Sequence, residues 1–207
     1  MPKRTRAGAV TVFALAGLTV GAALTVPAGA AAPKAASAPR FLAASELPPH
    51  PSSAWTAGRV KDGVPVEMRF CLEEALLAYD SRYRPFRTDL DASARQLTVV
   101  VGTSAKAKAL ASSLNKHVKS CAGRIEAADP EVEAKYKSYG SLSVEEGARV
   151  HGLATETSWG ATDIRLLSVG RDGRTVTVVD WSQMGDFSDA PVSAFKKTTK
   201  TAVNKLY

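Results

Sequence analysis

Cysteine is nearly absent from this sequence: Cys71 and Cys121 are the only two in 207 residues. So few thiols exclude a knottin-like disulfide scaffold and a Cys-rich zinc module. A chain of this length needs neither, because its core alone can bury roughly two thirds of the unfolded surface. Histidine is almost as scarce. His50, His117 and His151 are the only three, and no two stand at an H-x-x-x-H spacing, so no zinc or other metal site is indicated. No G-x-S-x-G turn, no G-x-x-x-x-G-K phosphate loop and no long internal repeat occurs. These absences remove the recognisable hydrolase, nucleotidase, metalloenzyme and repeat-protein classes and imply no cofactor. What remains, with 45% hydrophobic and 23% charged residues, is one modest folded domain rather than a disordered chain.

The first 30 residues have three ordered parts. A basic start (Lys3, Arg4, Arg6) leads into an apolar run over 7–26, and small residues at Ala28 and Ala30 flank Gly29. This order is that of a cleavable secretory signal. The run is long enough to span a bilayer, so an uncleaved anchor is the rival reading; the Ala-x-Ala site directly after it favours cleavage. No Cys follows for lipid attachment, and Thr5 separates the arginines that a twin-arginine signal would pair. The chain is therefore expected to be secreted and extracellular, with no membrane span once residues 1–30 are removed. Removal lowers the formal net charge from +7 to +4, with 24 basic against 20 acidic residues left. So small an excess lacks the concentrated basic face of a nucleic-acid binder, although it suits a preference for anionic wall polymers.

Residues 31–40, with two prolines and almost no apolar bulk, read as a flexible tether, and a single domain is expected over 41–207. Phe41, Leu42 and Leu47 suit a short helical turn before Pro48-Pro49-His50-Pro51, an extended stretch leading to Trp55. Residues 71–79 are strong helix formers with an apolar face. Residues 83–89 and 95–101 read as strands, and Ala107, Leu110, Ala111, Leu114, Val118, Cys121 and Ile125 mark one face of a long helix capped by Thr103 or Ser104. Asp129-Pro130-Glu131 has the composition of a helix start and predicts a helix to about residue 138. Strands follow at 142–146, 148–155, 163–169 and 175–181, with a hairpin turn over 170–173; Phe195, Thr199, Ala202, Val203 and Leu206 predict a closing helix. The fold class is α+β: a largely antiparallel sheet with packed helices.

In an exported chain, two cysteines on the apolar faces of predicted helices read as one disulfide, Cys71 to Cys121. Closing that loop stabilises the fold by about 4 kcal/mol in the chain-entropy model. A redox-active pair would more often be a C-x-x-C motif at a helix start.

No catalytic constellation emerges, and the chain is expected not to be an enzyme. His117 reads as a boundary residue of the long helix, and His151 as a strand residue. Glu145 and Glu146 are adjacent, so in a strand they would face opposite ways and could not act on one bond. Asp180, beside Trp181 and near Gln183, is a candidate buried or cleft-facing carboxylate, though a structural role at the strand end weighs more. Should a ligand cleft exist, Trp181, Gln183, Asp180 and Trp159 are its candidate residues, since aromatic faces and amides near strand ends recur in pockets. Arg82, Arg84 and Arg87, interleaved with Tyr83 and Phe86, either hold an anion or keep an exposed edge strand soluble; the edge reading is favoured. Together with Trp55 they are the candidate contacts to a protein partner.

The Cys71 helix, the strand Arg95-Gln96-Leu97-Thr98-Val99-Val100-Val101, the Ala-rich helix ending at Cys121, the meander through 176–181 and a closing Ala-Val-Asn-Lys helix resemble the PknH-like extracellular sensor domain over residues 41–207. That family implies an α+β domain with an antiparallel sheet and a cleft, found on receptor kinases outside the membrane and as free-standing exported proteins. Its members often carry four cysteines, so the pair here would match the family's inner bridge. The resemblance implies a non-enzymatic binding module for a small molecule, wall fragment or extracellular protein. The alternative is a partner role, as inhibitor of a secreted enzyme or subunit of an exported complex.

Overall fold

The computed structural model describes residues 38–76 and 79–207, and the structural statements below concern these residues. The expected signal over 1–30 and most of the tether lie outside them.

A short 3-10 turn, Ala44–Glu46, precedes two two-residue strands, β1 (Thr56–Ala57) and β2 (Lys61–Asp62), and helix α1 (Val66–Leu76). Strands β3 (Ser81–Arg87) and β4 (Ser93–Val100) lead to α2 (Ser104–Lys119) and α3 (Cys121–Ala128). Then come β5 (Val132–Leu142), β6 (Ala148–Thr157), β7 (Thr162–Asp172), β8 (Thr175–Met184) and α4 (Val192–Asn204). All pairings are antiparallel, in the order β1-β3-β4-β8-β7-β6-β5, with β2 also on β3. This is the expected α+β class.

The period of two in each strand divides the core into two layers. On one face Leu97, Val99, Leu153, Leu167, Val169, Val176 and Val178 pack against Met68, Leu72 and Leu76 of α1 and Leu110, Leu114 and Val118 of α2. Phe86, Ala94, Val150, Ile164, Leu166, Val179 and Trp181 face the other way, onto Phe195 and Ala202 of α4 and Leu42 and Leu47 of the N-terminal segment. The central strands are thus covered on both sides. Cys71 and Cys121 join α1 to the start of α3 inside the first layer, both buried, as the disulfide expected from the sequence.

Five local expectations are corrected. The segment after Asp129 is a strand: the Asp129 carboxylate accepts from Glu131 N at 3.0 Å and its carbonyl from Val132 N at 3.1 Å, closing a turn instead of opening a helix. From there Val132, Ala134 and Tyr136 lie in a ladder with β6, whose cross-strand pairing outweighs the propensity of a short isolated helix. The long helical face is divided at Ser120 into α2 and α3, while Thr103 caps α2 by accepting from Lys106 N at 3.2 Å. Residues 143–147 form a loop, with Glu145 at φ 40° and Gly147 at φ 101°, backbone that a strand does not allow. Finally, Gly170 belongs to β7, so the β7–β8 turn is carried by Gly173 at φ 52° and Arg174. The α1 helix also begins earlier than residue 71, at Val66 just after Pro65.

Candidate functional site

Strand β4 begins at Ser93, so Ser93, Arg95 and Leu97 share the face that carries α1 to α3. Arg95 lies just past the end of the apolar core on that face. Its direct cross-strand partner on β8 is Asp180. The Asp180 side chain is fully buried and lies between two guanidinium groups: Arg95 Nη1 stands 3.4 Å from Oδ2, and Arg165 Nε on β7 stands 3.2 Å from Oδ1. Glu67, in the first turn of α1, completes the cluster from the helix side. Its Oε1 is 2.8 Å from Arg95 Nη2, and its backbone carbonyl accepts from Arg165 Nη1 at 3.1 Å. Burial pushes the Glu67 carboxyl up, but its own backbone amide and the Arg95 guanidinium outweigh that and hold it below the usual carboxylate range.

Beside this cluster opens a cleft of about 510 Å³, bounded by β1, β2, the outer part of β3, the start of β4 and Glu67. Arg59, Lys61, Arg87 and Arg95 line it, and Glu67 is the single acidic lining residue; Tyr83 and Pro85 supply an apolar wall. The short strands β1 and β2 fold back on β3, with Thr56 opposite Arg87 and Lys61 opposite Tyr83, and so bring Arg59 and Lys61 to the same opening as Arg87. Four cations around one carboxylate give the opening a positive charge, and Arg has the planar donor geometry that matches a carboxylate or phosphate.

The residues singled out in the sequence fall in several places. Trp181 and Gln183 share a cavity of about 310 Å³ with Trp55, Pro48, Pro49 and Pro51. Asp180, one position along β8 from Trp181, faces the opposite side of the sheet and belongs to the Arg95 cluster. Trp159 stands exposed in the β6–β7 turn, away from both. Of the basic cluster on β3, only Arg87 lines the larger cleft. Arg82 is exposed and 3.3 Å from Asp62, whereas Arg84 donates to Gly58 O at 3.0 Å and Leu42 O at 3.1 Å and ties the N-terminal segment to the sheet. Trp55 Nε1 donates to Pro48 O at 2.7 Å. Arg59, Lys61, Glu67, Arg95 and Arg165 were not singled out, and no local pattern marks them: they come from five separate elements or loops.

His151 is buried on the helix-covered face, with its Nε2 2.7 Å from Asn115 Oδ1 and its Nδ1 2.9 Å from the Tyr136 hydroxyl. Burial, with the charge of Arg149, lowers its pKa to about 4, which fits a neutral ring built into the packing. His117 Nδ1 lies 2.9 Å from Ser113 O along α2. Glu146 is 4.0 Å from Arg171 and accepts from Gly173 N at 2.8 Å, an anchor for the β7–β8 turn. Among the described residues no group of three or more His, Cys, Asp or Glu could hold a metal ion, and no helix is long and apolar enough to cross a membrane.

The fold and site together define an α+β domain with a basic cleft at one edge of an antiparallel sheet. No family model matches the chain, and no curated protein matches it. Among solved structures, the extracellular domain of PknH from Mycobacterium tuberculosis is similar, at 14% identity and a TM-score of 0.48, over 78% of this chain and 97% of that one.

Proposed function

We propose that this chain is an exported, non-enzymatic binding module and that it takes an anionic ligand, a small molecule or a fragment of a wall polymer, in the cleft beside Arg95. The observation that carries the reading is the charge of the lining: Arg59, Lys61, Arg87 and Arg95 against Glu67 alone. Tyr83 and Pro85 give the body of the ligand an apolar surface to lie on, the usual combination of an apolar wall with a few placed polar groups. Export supplies the setting: the basic start, apolar run and Ala28-Gly29-Ala30 would release a chain beginning at Ala31 outside the membrane, where an anionic wall polymer is one ligand that would suit the cleft.

Calorimetric titration of the chain from Ala31 onward tests the reading. The probes are an oligogalacturonate, inorganic tripolyphosphate and, as the cationic comparison, a chitosan oligomer. The anionic probes should bind, weaken as salt screens the exposed cations, and lose about tenfold or more in affinity when Arg87 and Lys61 are both changed to Ala. The cationic oligomer should not bind. Failure of both anions to bind, or binding that the double variant leaves intact, would remove the cleft from consideration.

A further inference from the structure

We propose that the group read by Arg95 is a carboxylate, and that the ligand binds by taking the place of Glu67 on that guanidinium; the inference rests on the cleft being the ligand site. Arg95 is held in one orientation from its own sheet. Nη1 is engaged by Asp180 at 3.4 Å and by Ser93 Oγ at 3.3 Å, and the side chain is only 11% exposed. The remaining terminal nitrogen, Nη2, carries the Glu67 carboxylate at 2.8 Å. The two carboxylates on Arg95 differ in one decisive respect. Asp180 is fully buried, whereas the Glu67 side chain is 49% exposed. Glu67 can turn into water at little cost, while Asp180 cannot leave without stranding two charges.

Glu67 thus shows which chemical group fits the position. The four charges of Arg95, Arg165, Asp180 and Glu67 cancel, and a ligand carboxylate replacing that of Glu67 keeps the balance. A phosphate dianion in the same place would bring one negative charge more than Glu67 does toward buried Asp180, and only Arg59, Lys61 and Arg87, farther out in the cleft, could offset it. The tethered carboxylate also sets a threshold. An incoming group competes with a resident one at high effective concentration, so the ligand must add contacts, to Arg59, Lys61 or Arg87 and to the Tyr83 and Pro85 wall, before it wins.

Titrating the wild-type chain and Glu67→Gln with trigalacturonate and with inorganic tripolyphosphate at one salt concentration tests this. Glu67→Ala serves as a second variant, and thermal melting verifies that all three proteins are folded. If Glu67 occupies Arg95 about nine-tenths of the time, removing its charge should tighten trigalacturonate binding about tenfold, and tripolyphosphate should gain less. Carbon-13 NMR of the Glu67 carboxylate adds a readout that simple charge removal does not explain: its titration should move up when trigalacturonate saturates the wild type, because Arg95 has left it. Anion binding that is unchanged or weaker in both variants would overturn the displacement and leave the cleft reading standing. A larger gain for tripolyphosphate would overturn the carboxylate assignment. Absence of binding by either probe to any of the three proteins would overturn the cleft reading itself, and this inference with it.

Discussion

Arg95 and Asp180 are direct partners across the β4–β8 ladder, 3.4 Å apart at their side-chain ends, and one is the deepest cation of the cleft while the other is fully buried. The pair joins stability to recognition. A buried carboxylate is tolerated because Arg95 and Arg165 flank it, and Arg95 is held in place because Asp180 anchors it.

Replacing Asp180 by Ala should therefore destabilise the fold by about 3–5 kcal/mol, the cost of leaving buried cations without their partner. The double change Arg95→Met with Asp180→Leu should recover part of that stability, because the Arg95 charge goes with its partner and only Arg165 loses its carboxylate, and it should weaken anion binding, which Arg59, Lys61 and Arg87 alone then carry. Urea denaturation of the three proteins measures the first effect, and titration with trigalacturonate the second. A single Asp180→Ala variant as stable as the wild type would contradict the arrangement.

The neutral state of His151 makes a prediction about pH. Asn115 Nδ2 donates to Ala111 O at 2.7 Å, which turns Asn115 Oδ1 toward His151 Nε2; that nitrogen carries the hydrogen, and Nδ1 accepts from Tyr136. With its folded pKa lowered from 6.5 to about 4, the ring takes up a proton in the unfolded chain before it does in the folded one. Between those two values the unfolded state binds more protons, so this contribution to stability is present above pH 6.5 and is lost as pH falls toward 4 and below. The full loss is up to roughly 3 kcal/mol. Urea midpoints measured across that range should fall with acid in the wild type and fall less in His151→Gln, and proton NMR should place the imidazole titration well below that of a free histidine. Equal acid slopes in the two proteins would contradict the assignment.

Much of this fold was legible because its signals are local. The apolar face of α2, a cap at Thr103 or Ser104, and the meander of β6, β7 and β8 follow from spacing or composition within short stretches, and the Cys71 to Cys121 bridge from there being only two cysteines. β5 was misread because Asp129-Pro130-Glu131 suits a helix start as well as a turn, and only the neighbouring β6 decides between them. The candidate site was legible in fragments. Asp180 could be picked out as a buried carboxylate beside an aromatic, but its partner Arg95 lies 85 positions away, joined to it by a strand register that no local pattern encodes. Alternation along β8 separates Asp180 from Trp181 and Gln183, and the turn between β6 and β7 carries Trp159 away from all three. Arg59 and Lys61 reach the cleft because two very short strands fold back on β3, and strands of two residues leave almost no trace in a sequence.

Gly170 shows how closely α4 is seated on the sheet. It is a buried strand residue, where glycine costs conformational entropy and offers no side chain to pack, so its place needs a steric reason. The reason is Val203. A methyl group added at Gly170 would overlap Val203 Cγ2 and meet Ala148 Cβ at 3.0 Å, and a β-branched side chain on a packed helix has no alternative rotamer to retreat into. Gly170→Ala should then force α4 away from β7 and cost about 1–3 kcal/mol, despite the better strand propensity of alanine. Trimming the neighbour reverses the argument: Val203→Ala alone opens a small void and destabilises the protein, but combined with Gly170→Ala the new methyl fills the space that the valine vacates. The double variant should be more stable than the sum of the two single losses predicts, by about 1 kcal/mol or more, as expected for residues in direct contact. Chemical denaturation of the four proteins closes the cycle, and strict additivity would mean that α4 does not rest on β7 as described.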